Sequence, residues 1–172
     1  ILLTHTHFDH VVDVLDLARK LSVPVVGQYD LMGHWGETEG IQTVGFNKGG
    51  TVDLNGVKVS MVPASHSSTF DTPDGLRTGG TEVGFMIRSE GKTVYVSGDT
   101  DIMADMDWMG DYYKPDIGIL SAGGHFTMDL ATTVIPCHYK TFPILEQSAE
   151  ALKQGLPGVT VIEPELMQPI QL

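Results

Sequence analysis

Four potential metal ligands fall within six consecutive residues near the start of this chain: His5, His7, Asp9 and His10, in Thr4-His5-Thr6-His7-Phe8-Asp9-His10. An apolar run, Ile1-Leu2-Leu3, leads into them, and Val11, Val14, Leu15, Ala18 and Leu21 follow at helical spacing. The segment reads as a strand, a His-rich turn and a helix, with Asp9 placed as an acidic cap at the helix start. Alternate side chains in such a turn can face one side while the last two reach another, so four donors in six positions suit two adjacent ions. Imidazole nitrogens and carboxylate oxygens are the ligands zinc accepts at open, catalytic sites, and the absence of thiolates argues against a closed structural site. A helix-capping aspartate beside merely exposed histidines is the simpler alternative. Other histidines must then complete the coordination shells.

Composition narrows the classes of function. The chain has 172 residues, 41% of them hydrophobic, enough for one core, and is read as a single domain over 1–172 without linker, repeat or low-complexity tract. Ten Lys and Arg against 22 Asp and Glu leave a net charge of −12, which repels nucleic-acid backbones and anionic membrane surfaces. No apolar run approaches the ~20 residues of a membrane-spanning helix, and the single cysteine, Cys137, permits no internal disulfide. The expectation is a soluble, cytoplasmic protein with no nucleic-acid or membrane partner, and a homo-oligomer stays open. Because residue 1 is Ile and the apolar strand starts abruptly, sequence upstream of it is expected to be absent.

Farther along, a short apolar run at 23–26 predicts a strand. Alternation at 51–54 and 57–63 around Asn55-Gly56 predicts a hairpin, and 83–88 with 93–96 around Glu90-Gly91-Lys92 repeats it. A helix around 102–113, strands at 117–120 and 133–136, a helix at 145–156 and a strand at 159–162 complete an α/β pattern. His34 is read into a Gly-rich loop, and Met103, Met106 and Met109 as core at helical spacing. The connection through Asp129 and Leu130 looks too short for a parallel crossover of ~10 or more residues, so those strands are expected to be antiparallel or to lack intervening residues.

Three more residues stand where strands give way to loops. His66 lies in Pro63-Ala64-Ser65-His66-Ser67-Ser68, and His138 follows Pro136-Cys137. Asp99, in Gly98-Asp99-Thr100, is a carboxylate able to bridge two cations. Each alone is a loop or turn residue; beside the His-rich turn each becomes a candidate ligand, because catalytic ligands come from several strand ends. Cys137 is read as a small buried residue rather than a ligand.

In this order the residues resemble the metallo-β-lactamase superfamily, whose signature His-x-His-x-Asp-His is matched by His5, His7, Asp9 and His10, with His66, Asp99 and His138 following. Gly123-Gly124-His125-Phe126-Thr127-Met128 and the stretch from Ile135 to Pro143 resemble a little-characterised branch of metal-dependent hydrolases related to sugar-phosphate lactonases. The resemblance implies an αββα sandwich, incomplete at its N-terminus, with a dinuclear site along one edge. His5, His7 and His66 would hold one metal, Asp9, His10 and His138 the other, with Asp99 between. The fold normally opens with several strands before the His-rich turn and carries a helix between the Phe-Thr-Met segment and the Val-Ile-Pro strand, and neither is visible here.

The chemistry expected is metal-dependent hydrolysis of an ester, lactone or phosphoester bond in a small molecule. Two Zn²⁺ ions are expected, with Mn²⁺ or Fe²⁺ as alternatives. Two cations against Asp9, Asp99 and a hydroxide leave a local positive excess that draws an anionic or carbonyl substrate. Asp9 is a candidate catalytic residue, and His125, Tyr139 and Lys140 are candidates to bind the oxyanion or protonate the leaving group. The competing readings are a non-catalytic metal-binding or interaction module and a di-iron redox protein of the same fold. The latter usually carries Glu where His7 stands and a flavin partner domain.

Overall fold

Residues 1–128, 135–137, 148 and 150–155 are described by the structure, a computed structural model. After an extended N-terminal segment come α1 (Phe8–Val11), α2 (Val14–Leu21), β1 (Val25–Gln28), α3 (Tyr29–Thr38), β2 (Thr43–Phe46), β3 (Thr51–Leu54) and β4 (Val57–Pro63). There follow β5 (Thr69–Thr72), β6 (Gly75–Thr78), β7 (Val83–Ser89), β8 (Lys92–Val96), α4 (Asp105–Tyr113), β9 (Ile117–Ser121), β10 (Ile135–Cys137) and α5 (Glu150–Gly155).

Extended residues at the N-terminus join two sheets. The Leu3 N–H donates to the Val26 carbonyl and the Val26 N–H to the Ile1 carbonyl, laying this segment parallel to β1, which pairs in turn with β2. One residue on, the Thr4 carbonyl accepts from the Val83 N–H at the head of β7. Val14 and Ala18, one helical turn apart on α2, are buried against Leu3, Val25, Met32 and Trp35, with Val11 and Leu15 beside them. Burying each large apolar side chain contributes ~1.5–3 kcal/mol relative to leaving it in water, which holds the helices onto this small sheet.

The larger sheet runs in the order β10-β9-β8-β7-β4-β3. Its centre, β4 and β7, carries Val59, Met61, Val83 and Phe85 into one cluster, and Val62 and Met86 into another with Tyr95 of β8, where Met109 of α4 packs. The β3–β4 turn is Asn55-Gly56, at φ 55° and 91°, the positive values a two-residue hairpin turn needs. Among the described residues the β5–β6 hairpin pairs only with itself. No helix among the described residues is long and apolar enough to cross a membrane.

Several expectations are corrected. The single helix after the His-rich turn is two, broken at 12–13, and Leu21 is exposed at its end. Helix α1 starts at Phe8 with His7 at its N-cap, so Asp9 lies in the first turn and does not cap it. His34 belongs to α3, not to a loop: Leu31, Met32 and Trp35 bury one helix face, and that packing overrides the weak helical preference of Gly33 and Gly36. The strand expected at 23–26 lies at Val25–Gln28. Of the two alternatives for the connection through Asp129 and Leu130, the antiparallel one is overturned: strands β9 and β10 are parallel, which leaves the one in which intervening residues are lacking. The β5–β6 hairpin was not anticipated. The strand expected at 159–162 lies outside the described residues, as do the first part of the 133–136 strand and both ends of the 145–156 helix.

Candidate metal centre

The His-rich turn is pinned from below. The Thr6 N–H donates to Ser68 Oγ at 3.2 Å, and the two hydroxyls lie 3.1 Å apart, both buried. Because α1 begins at once, the chain doubles back, the His10 N–H donating to the His7 carbonyl at 2.9 Å. His10 is thereby returned over His5, ring centroids 4.1 Å apart.

His66 and Asp99 arrive on the ends of β4 and β8, and buried hydroxyls tie those ends together. Ser97 Oγ donates to the Gly98 carbonyl at 2.6 Å and accepts from the Ser121 N–H at 3.1 Å. Thr100 Oγ1 donates to the Asp101 carbonyl at 2.8 Å and accepts from the Ser65 N–H at 2.9 Å, while Ser121 Oγ accepts from the Thr100 N–H at 3.3 Å. Satisfied pairs of this kind are needed where water is excluded, because an unpartnered buried group costs about 1–3 kcal/mol. Gly98 turns the chain at φ 62°, and a Cβ there would stand 2.8 Å from Thr4 Cβ and 2.9 Å from the Val83 carbonyl oxygen. Only glycine lets Asp99 approach the N-terminal turn this closely.

Above this floor His7 Nδ1 lies 3.1 Å from His5 Nε2 and 3.2 Å from His66 Nε2. A ring nitrogen offers one proton or one lone pair, so His7 Nδ1 can satisfy only one of these neighbours. Three nitrogens converging in this way form a donor set that fits a cation better than it fits itself. The far nitrogens are engaged elsewhere, His5 Nδ1 with Thr4 Oγ1 and His7 Nε2 with Ser67 Oγ, each at 3.1 Å. Such outer contacts fix the orientation of the rings and are compatible with the tautomer whose lone pair faces inward. A second group joins His5, His10 and Asp99, with donor atoms within 4.8 Å of one another. Asp99 Oδ2 stands 3.5, 3.8 and 3.9 Å from the Nε2 atoms of His10, His66 and His5.

The pKa values of the histidines on the two sides of the cluster are shifted in opposite directions. Burial, reinforced by the neighbouring His10, pushes the His5 imidazole down to about 3, and burial also lowers His66 despite Asp99. Burial opposes a charge on His10 as well, but Asp99 and then Asp9 outweigh it and raise its pKa. His5 and His66 are thus kept neutral, as ligands must be, while His10 sits among carboxylates where positive charge is favoured.

A cavity of about 290 Å³ opens over the cluster, lined by His7, Asp9, His66, Ser67 and Asp99 and flanked by Phe8 and Phe126. Of the residues singled out in the sequence, His5, His7, His10, His66 and Asp99 come together. Asp9 stays at the rim, Oδ2 3.8 Å from His10 Nε2, and is not in the second group. His125 is exposed on the turn before Met128, at φ 25°, its ring against that of Phe126 at 4.4 Å. His138, Tyr139 and Lys140 lie outside the described residues. Cys137 ends β10 opposite Ser121, part of the hydroxyl floor. Thr4, Ser67 and Ser68 were not singled out, although each adjoins a candidate ligand or its neighbour in sequence.

Comparison with known proteins agrees with this geometry. Residues 1–162 match the model of the β-lactamase superfamily domain. The chain is 75% identical over 184 aligned residues to a UPF0173 metal-dependent hydrolase of Ruegeria pomeroyi and 73% identical to one of Ruegeria sp. (strain TM1040), matching along its whole length and spanning 80% of each. These alignments are longer than the 172 residues of the chain, so the relatives carry residues inside the matched stretch that it lacks. Among solved structures, Igni18, a metallo hydrolase from Ignicoccus hospitalis, superposes with a TM-score of 0.76 at 30% identity, over 95% of this chain and 75% of that one. The fold is that of the metallo-β-lactamases, and the chain belongs to the UPF0173 metal-dependent hydrolase family.

Proposed function

We propose that residues 1–172 act as one domain that hydrolyses an ester, lactone or phosphoester bond in a small molecule with two divalent cations, zinc in the first instance and manganese or iron as alternatives. His5, His7 and His66 would hold one cation, Asp9, His10 and His138 the other, and Asp99 would stand between. The observation carrying this reading is His7 Nδ1 facing both His5 Nε2 and His66 Nε2 at 3.1 and 3.2 Å, a convergence with no internal solution in protons.

When bound, the cations supply Lewis acidity, making hydroxide available near neutral pH and polarising the scissile group. The chain does the rest. Thr4 and Ser67 hydrogen-bond the outer ring nitrogens of His5 and His7 and so hold the two rings in orientation, leaving His5 Nε2 and His7 Nδ1 facing inward. Asp99, 96% buried, brings negative charge within reach of three imidazoles and offsets part of the metal charge. Asp9, on the cavity wall, orients the attacking water and can take its proton. His125, exposed beside Phe126, which flanks the cavity, is the candidate proton donor to the leaving group. Net positive charge at the loaded centre favours an anionic or carbonyl substrate.

Removal of metal with a chelator should abolish turnover of a responsive member of an ester, lactone and phosphodiester panel, and Zn²⁺ or Mn²⁺ should restore it. Elemental analysis should find close to two metals per chain. Unchanged turnover in a His5→Ala/His7→Ala double variant would overturn the reading.

A further inference from the structure

His7 and Phe8 line not one hollow but two. The second, of about 670 Å³, leads away from the imidazoles between three walls: Val12 and Leu15 on the α1–α2 segment, Trp35 on α3, and Phe70 and Leu76 on the β5–β6 hairpin. That volume lies within the range of small-molecule sites. Phe8, Val12 and Leu76, which line it, are 68%, 72% and 65% exposed, so a continuous apolar surface faces water directly beside the candidate metal centre. Apolar surface gathered into one concavity marks a binding site more often than scattered exposed residues do.

The charges of the groove say what it can take. Among the described residues no Lys or Arg lines it, and its ionisable side chains, besides His7, are His34, Glu39 and Asp71. The Glu39 carboxylate accepts a hydrogen bond from Arg19 at 3.0 Å, and Asp71 adds negative charge on the hairpin. Among the described residues such a groove offers no Lys or Arg to a phosphate or carboxylate, while its aromatic and branched walls suit a hydrocarbon.

We propose that this groove is the substrate's apolar subsite: it takes an uncharged alkyl or aryl chain attached to a carboxylic ester or lactone whose carbonyl sits at His5, His7 and His66. This rests on the hydrolase reading and narrows it to carboxylic esters and lactones with a hydrophobic acyl part, away from phosphorylated sugars.

The test uses the metal-loaded full chain with p-nitrophenyl esters from acetate to octanoate. Each methylene that enters the groove should raise kcat/KM by about fourfold until the groove is filled, and Leu76→Asp and Val12→Asp, both at exposed positions, should flatten the series. Occupancy is read without turnover in a Trp108→Phe background, where Trp35 is the remaining tryptophan: 1-octanol should shift its fluorescence, and Leu76→Asp should remove the shift. A flat ester series with no Trp35 response overturns the proposal. A Trp35 response to octanol that Leu76→Asp abolishes, without hydrolysis of any ester, supports the alkyl site and overturns the reaction assigned to the metal centre. Concentration-dependent dimerisation abolished by Leu76→Asp would assign the groove to a second copy of the chain and overturn the subsite.

Discussion

Around one cluster of imidazoles, two regions are built by opposite rules. The strand ends beneath His66 and Asp99 are closed to water: Ser97, Thr100 and Ser121 are fully buried, and each hydroxyl takes part in the hydrogen bonding that joins β4, β8 and β9. The β5–β6 hairpin, beginning three residues after His66, pairs only with itself among the described residues, and every residue of β6 is exposed. The difference is instructive. Ligands from separate strands must be held to a few tenths of an ångström, which needs a buried and satisfied frame, whereas a wall that only shapes access can be exposed and tolerant of change.

Substitutions should separate the two regions, most sharply at the carboxylate itself. Asp99→Asn keeps the shape of the side chain but removes the charge facing His5, His10 and His66. We expect kcat/KM to fall by more than about a hundredfold, the upper end for groups that merely orient ligands, together with a loss of bound metal measured by elemental analysis. Gly98→Ala attacks the same floor through the backbone, with φ at 62° and a Cβ forced against Thr4. A destabilisation on the order of 2 kcal/mol or more is expected from denaturant unfolding, and a wild-type midpoint would count against the close approach.

A smaller contrast comes from one buried and one exposed side chain. Thr100→Val leaves the Ser65 N–H without its acceptor and should cost about 1–3 kcal/mol. Arg77→Ser, on the exposed face of β6, should stay within about 0.5 kcal/mol of wild type. Equal effects would erase the distinction between floor and wall. The smallest effect is expected at the opposite ends of β8 and β9, where Asp116 accepts hydrogen bonds from the Thr93 N–H at 2.8 Å and Lys92 Nζ at 3.1 Å. The Thr93 hydrogen bond, followed by Lys92, holds this exposed carboxyl below its usual pKa. Its stabilisation is therefore present above the unfolded pKa of ~3.9 and lost as pH falls through the folded value. The Tm difference between wild type and Asp116→Asn should be full at pH 6 and vanish in strong acid. A difference that grows on acidification would contradict the sign.

What could be read from residues alone follows the range of the interaction. The β3–β4 and β7–β8 hairpins were legible because alternation and the Asn55-Gly56 or Glu90-Gly91 turn are local signals, and the structure pairs Val52 with Val59 and Arg88 with Thr93 accordingly. Helix α3 was not, since two glycines argue against it and only the packing of Leu31, Met32 and Trp35 on β1 and α2 stabilises it. The β5–β6 hairpin had a usable turn signal in Pro73-Asp74-Gly75, but flanking residues such as Asp71 and Arg77 showed no apolar alternation to accompany it.

The candidate site divides along the same line. That His5, His7, Asp9 and His10 can bind a cation is a property of donor atoms within one turn, so the sequence determined the chemistry on offer and, through its order of motifs, the family. The tertiary structure decided that His66 and Asp99, 59 and more residues away along the chain, meet that turn, and that Asp9 remains at the rim. It also decided that Thr4 and Ser67 hydrogen-bond the outer nitrogens of His5 and His7 and that an apolar groove adjoins the imidazoles. Donor chemistry belongs to each side chain by itself, but a lone pair becomes part of a site only when long-range packing aims it at the same point as the others.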